Sequence, residues 1–167
     1  MIVISVVILV LLIAIDQITK LLVAGNIALG DTFFTLSVGD FKLASITHVR
    51  NDGAAWSILS GKTVLLIVIA VVAVAVAFYV IIKGKIKSRF GVISLIAVIS
   101  GGVGNLIDRI RLGEVIDFIR FDFIDFPIFN FADICVVIGA ICFCIWIIFG
   151  DIKKKKKEKE KTEVEHS

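Results

Sequence analysis

The chain has 167 residues, 59% of them hydrophobic, with a formal charge of +3 and a mean hydropathy of +1.05. Soluble domains run at about 45–50% apolar, and the excess here sits in four blocks, roughly 2–23, 63–82, 90–112 and 128–149. A block of about 20 apolar residues crosses a hydrocarbon layer of about 30 Å, which excludes a water-soluble enzyme, a secreted disulfide scaffold and a nucleic-acid reader.

The first block, MIVISVVILVLLIAID, lacks a basic leader and a small-residue cleavage site, so it is expected to stay as a span. It ends in DQITK, where Asp16 and Lys20 lie four residues apart and share a helix face. The simplest role for that pair is a structural ion pair that pins the first span to its neighbours.

In the following segment, residues 40–49 (DFKLASITHV) alternate loosely with period two, and Asn51-Asp52-Gly53 is a turn signal. A small β-element is expected there, with His48 as an ordinary interfacial residue. Asn51, Gly53, Ala54 and Ala55 either make a tight turn into the second span or let a substrate lie close to the backbone.

The loop 83–89 (KGKIKSR) and the tail from Asp151 are rich in lysine, which places both in the cytoplasm, together with both termini. Segments 24–62 and 113–127 are then extracytoplasmic. The tail carries five consecutive lysines, 153–157, and almost no apolar residues; it reads as disordered and close to anionic headgroups.

The third block continues into SGGVGNLIDRIRLGEVIDFI. Gly101, Gly102 and Gly104 suit close helix packing. Asn105 and Asp108 share a face, and Asp108 and Arg109 can each pair with groups on other spans. Asp117 lies between Ile116 and Phe118, apolar company that should raise its pKa. Residues 118–126 (FIRFDFIDF) alternate aromatic and charged residues, as a strip lying flat in the interface would, and Pro127 suits the first turn of the next helix.

The fourth block opens with FNFADICVV. Asn130 precedes Asp133 by one turn, and no nearby residue in sequence neutralises Asp133. A carboxylate at this depth is costly and marks a candidate site; the bland alternative is that Asp133 pairs with Arg109 or Lys20. Cys135, Cys142 and Cys144 read as small packing residues.

Two carboxyls held close together share one proton, one acting as base on a water while the other polarises a carbonyl. That chemistry fits Asp133 with a second aspartate. Asp108, Asp117, Asp122 and Asp125 are all open as its partner. Asp108 is better read as structural because Arg109 adjoins it, and Asp122 and Asp125 sit among the aromatics of the outer strip. No HExxH, GxSxG or Walker sequence is present. A proton-coupled carrier and a non-catalytic scaffold are the readings from other classes.

Taken together, DQITK at 16–20, NDGAAW at 51–56, GNLIDR at 104–109, GEVIDF at 113–118 and FNFAD at 129–133 resemble the lipoprotein signal peptidase (signal peptidase II) family in order and in placement against four spans. The resemblance covers 1–150. It implies a membrane aspartyl endopeptidase that cuts prolipoproteins before a diacylglyceryl-modified cysteine, needs no metal or cofactor, and is blocked by the cyclic peptide globomycin. Its catalytic pair falls on Asp117 and Asp133. Supporting positions fall on Asp16, Lys20, Asn51, Gly53, Asn105, Asp108, Arg109 and Asn130. Trp56 and Ile116 depart from the usual phenylalanine and valine.

The expected fold is an all-α membrane protein. It has four transmembrane helices, a small extracytoplasmic β-element between helices 1 and 2, and an interfacial loop between helices 3 and 4. Residues 1–150 form the peptidase domain and 151–167 a disordered cytoplasmic tail. The expected partners are the diacylglyceryl prolipoprotein and membrane lipids, with no nucleic acid, and the chain is expected to act as a monomer.

Overall fold

The computed structural model describes residues 2–53 and 58–165, with side chains up to Gly150. Ala54, Ala55 and Trp56, singled out from the sequence, lie outside the described residues. Four helices are long and apolar enough to cross a membrane: α1 (Ile2–Asn26), α2 (Thr63–Ile82), α3 (Arg89–Leu112) and the Phe131–Gly150 part of α4 (Phe131–Glu165).

The first helix is built inside out relative to a helix of a soluble bundle. In α1 the buried residues are Ser5, Asp16, Lys20 and Val23, while Val3, Val10 and Leu22 are exposed. Lipid solvates the apolar face as well as a protein core would, so apolar burial does not select the inward stripe; polar contacts and close packing do.

The central helix is α3, which packs against the other three and most extensively against α4. Ser88 caps its start by accepting a hydrogen bond from the Gly91 N–H (3.4 Å). Gly113 ends it in the left-handed region at φ 78°, donating its N–H to the Arg109 carbonyl. Ile96 and Ile99 anchor the apolar core with Ala77 of α2 and Ile86. Two glycines set the approach of α3 to its neighbours. A methyl group on Gly101 would overlap the Ala132 carbonyl, and one on Gly104 would overlap the Asp16 carboxylate.

Three antiparallel strands, in the order β1 (Thr32–Val38), β2 (Phe41–Asn51) and β3 (Val115–Phe121), form a sheet against the bundle. The segment after α3 is therefore a strand where an interfacial loop was expected. Its apolar–polar alternation has the strand period, and β2 offers it an edge. The register sets Val49 opposite Asp117 and Asn51 opposite Val115. Asp117 thus lies on β3 rather than at the end of the third span.

One further expectation changes. Pro127 does not begin α4, which starts at Phe131 with Asn130 as its cap residue. Past Gly150 the backbone of α4 continues to Glu165. The free cysteines differ in setting: Cys135 is buried, Cys142 half-buried and Cys144 exposed.

Candidate active site

A polar network lies between α1, α3 and the start of α4, with Lys20 joining three of its members. The Lys20 Nζ reaches Asp108 Oδ2 at 2.9 Å and Asp16 Oδ2 at 3.0 Å, and donates to Asn105 Oδ1 at 2.8 Å. All three ammonium protons are used. Lys20, Asp16 and Asp108 are 1–2% exposed, so the pairing is what makes their burial tolerable.

Each carboxylate also fastens backbone. Asp16 Oδ1 accepts from the Ala132 N–H of α4 (3.0 Å), and Asp108 Oδ2 from the Ile116 N–H of β3 (3.3 Å). The Gln17 side-chain amide sits within reach of Asp16, Asp108 and the Gly104 carbonyl. Gln17 lies within DQITK but is not among the expected site residues; its place beside Asp16 is the signal that could have found it. Asp108 pairs with Lys20 rather than with the adjoining Arg109. Arg109 instead donates from its terminal nitrogen to the Gly53 carbonyl (2.8 Å).

Asn105 passes the network outward. Its Nδ2 donates to Asp133 Oδ1 at 2.7 Å. Asp133 occupies the first turn of α4, and its Oδ2 accepts from the Asn130 backbone N–H at 3.0 Å. Asn130 is fully buried. Its Oδ1 accepts from the Asp133 N–H, and its Nδ2 donates to Asp117 Oδ1 (2.6 Å) and Asn105 Oδ1 (3.1 Å). Asp117 Oδ2 accepts from Asn51 Nδ2 (2.9 Å), and Asn51 Oδ1 accepts from the Gly53 N–H. Asn130 therefore touches both carboxylates, and Asn51 and Asn105 each complete one of them with a neutral donor.

Neither Asp117 nor Asp133 forms an ion pair with another described residue. The bland alternative of an Asp133 pair with Arg109 or Lys20 is thereby replaced. Burial pushes the Asp117 carboxyl up to about 7, with the nearby Asp133 charge adding to the rise and the Asn51 and Asn130 hydrogen bonds opposing it.

A cavity of about 430 Å³ opens on this pair. Asn51, Gly53, Asn105, Arg109, Asp117 and Asp133 form its polar end; Phe126, Pro127, Ile128 and Val137 are among its apolar walls. Phe121 and Phe129 belong to an aromatic cluster with Phe126, with centroids 5.2–5.9 Å apart. The sequence-selected residues thus divide in two. Asp117, Asp133, Asn51, Asn105, Asn130, Arg109 and Gly53 surround the cavity, while Asp16, Lys20 and Asp108 lie behind it.

Asp122 and Asp125 lie on the other side of Asp117 from this cavity. Asp122 accepts from the Ser45 hydroxyl and pairs with Arg120 (2.7 Å), contacts that hold its carboxyl below the usual range. His48 is buried rather than interfacial, its Nδ1 against the Ile27 carbonyl at 2.8 Å. No group of three or more metal-ligating side chains occurs among the described residues.

The four-span architecture agrees with what the chain is similar to. The lipoprotein signal peptidase of Enterococcus faecalis is 42% identical over 146 residues, covering 87% of this chain and 88% of that one. The lipoprotein signal peptidase of Lactiplantibacillus plantarum is 40% identical over 151 residues, covering 89% and 97%. A solved structure described as a bacterial membrane enzyme, obtained by the in meso method, superposes with a TM-score of 0.81 at 36% identity and covers 92% of each chain. The sequence model of signal peptidase (SPase) II matches residues 8–149. The chain belongs to the signal peptidase II family.

Proposed function

We propose that this protein processes prolipoproteins within the membrane as an aspartic endopeptidase, cutting before the diacylglyceryl-modified cysteine. The observation that carries this reading is the pair of buried carboxyls, Asp117 and Asp133, joined through Asn130 at the polar end of a largely apolar cavity.

Two neighbouring carboxyls are most stable with one proton between them. Burial favours that proton on Asp117. Asp133 then takes a proton from a water as the water oxygen attacks the carbonyl carbon before the cysteine, and Asp117 gives its proton to the carbonyl oxygen. When the tetrahedral intermediate collapses, the C–N bond breaks, the amine nitrogen takes the proton held by Asp133, and a hydroxyl of the intermediate returns a proton to Asp117. The pair ends as it began, which a hydrolase requires.

The asparagines supply neutral donors that orient the carboxylates without ionising the dyad fully. Arg109 fixes the Gly53 carbonyl at the cavity edge. The apolar walls suit acyl chains and a signal helix entering sideways from the bilayer. The lysines of residues 83–87 and of the tail face the cytoplasm in this reading. The dyad, at the opposite end of the spans, then faces outward. One chain supplies every carboxylate and donor named, so a monomer suffices.

The test is a gel-shift assay with purified protein, a diacylglyceryl prolipoprotein and the same precursor without lipid. Cleavage of the lipidated form alone is expected. Cleavage of both would indicate a general intramembrane aspartic protease. Cleavage of neither would favour a proton-coupled carrier, with Asp133 as its proton site.

A further inference from the structure

Asp117 lies at a boundary between two cavities. The apolar one has been described. The second, of about 530 Å³, shares Asn51, Asp117 and the Phe121, Phe126, Pro127 and Ile128 wall with the first, and adds five charged residues that the first lacks, Arg50, Asp52, Arg120, Asp122 and Asp125, beside Val49 and Ile124. That lining is too costly to face hydrocarbon, so this cavity opens to water.

We infer that the second cavity binds the first residues of the mature chain, beyond the cleaved bond, and that it discriminates among them by charge. The inference rests on the peptidase reading. Three arms leave the scissile bond of such a substrate: the acyl chains on the cysteine, the apolar signal helix and the mature polypeptide. The first two match the apolar wall that only the first cavity has, Ile134, Val136, Val137 and Ile138. Only the mature polypeptide is polar enough for the other side of Asp117.

Most of the charges in this cavity are already engaged. Arg120 pairs with Asp122, and Asp52 accepts from the Ser60 hydroxyl and the Gly61 N–H. The Arg50 and Asp125 side chains make no hydrogen bond or ion pair with another described residue, so both are available to a ligand. Setting Asp117 aside, three carboxylates face two guanidiniums, and the cavity is net negative. A basic residue just after the cysteine is favoured over an acidic one. Partly solvated charge pairs of this kind change binding by about two- to fivefold.

The experiment uses the full-length protein and three diacylglyceryl precursors that differ only at the second and third mature residues: Lys-Lys, Ser-Ser or Glu-Glu. KM is expected to rise from Lys to Ser to Glu, by about two- to fivefold per step. Asp125→Lys is expected to reverse the Lys/Glu order of KM. Asp40→Lys makes the same charge change in the β1–β2 turn, outside the cavity, and is expected to leave the order as it was. Equal KM for the three precursors, or an order that Asp125→Lys and Asp40→Lys alter alike, would overturn the subsite while leaving the peptidase reading intact. Failure to cleave any precursor would overturn the peptidase reading and the subsite with it.

Discussion

Asn130 and Asp133 cap one another at the start of α4. The Asn130 side-chain oxygen accepts from the Asp133 N–H, and the Asp133 carboxylate accepts from the Asn130 N–H, both at 3.0 Å. This is the reciprocal arrangement of a capping box, but here the partner at the third helical position is also half of the carboxylate pair. The helix start and the dyad are one piece of geometry. Asn130→Ala removes the cap and leaves Asp117 Oδ1 without its closest donor. The expected cost is about 1–3 kcal/mol of stability, read as a lower melting temperature in detergent, together with at least a tenfold loss of turnover. Wild-type melting and turnover would contradict the linkage.

Lys20 is expected to act on stability before chemistry. Lys20→Met leaves the Asp16 and Asp108 carboxylates buried without their cation. Breaking one side of such a site costs about 3–5 kcal/mol. Thermal unfolding should report most of that loss, and adding Asp108→Asn should recover part of it by removing one orphaned charge. A Lys20→Met protein that melts like the wild type would show that the network is not holding the bundle.

The pH dependence follows from Asp117. Its carboxyl holds a proton up to about 7 in the fold, while an unfolded chain releases it near 3.8. The native state therefore binds the extra proton between those values, and stability falls as pH rises from about 4 to 7. Cleavage should fall as pH rises through about 7, because the doubly ionised pair has lost its acid. Asn51 donates to the ionised form of Asp117. Asn51→Ala should therefore move the alkaline limb of the cleavage rate to higher pH. A limb that stays in place or moves down would contradict this account.

The contact between α3 and α4 leaves no room at Gly101, where a methyl group would overlap the Ala132 carbonyl. Gly101→Ala should force the helices apart, at a cost of about 1–3 kcal/mol. Because Ala132 adjoins Asp133, turnover should fall along with melting temperature. Unchanged melting would mean that the interface yields more easily than its backbone contact implies.

What could be read from the residues depended on how local the signal was. Asp16 and Lys20 are one helical turn apart, and their pairing was legible from spacing alone. Asp133 stood out as a carboxylate without a local partner. The share of Asp108 in the Lys20 network was not legible, because it depends on how α3 is rotated against α1. Adjacency suggested Arg109 as the neighbour that matters, yet adjacent helical residues point to different faces. The strand carrying Asp117 was hidden in a segment whose alternation also suits an interfacial strip. Only pairing with β2 decides between the two, and that register brings Asn51 and Asp117 together. The same limit applies to β1, whose exposed apolar residues carry no inward pattern.

The central claim is that Asp117 and Asp133 together perform the hydrolysis. The most direct test is the turnover of a diacylglyceryl precursor by Asp117→Asn and Asp133→Asn, each checked for wild-type melting. Asparagine keeps the shape and hydrogen-bonding oxygen at both positions, but can neither hold nor take the proton. Each variant should lose at least about a thousandfold in rate, within the range by which positioned acids and bases contribute. Near-normal cleavage by either folded variant would contradict the dyad.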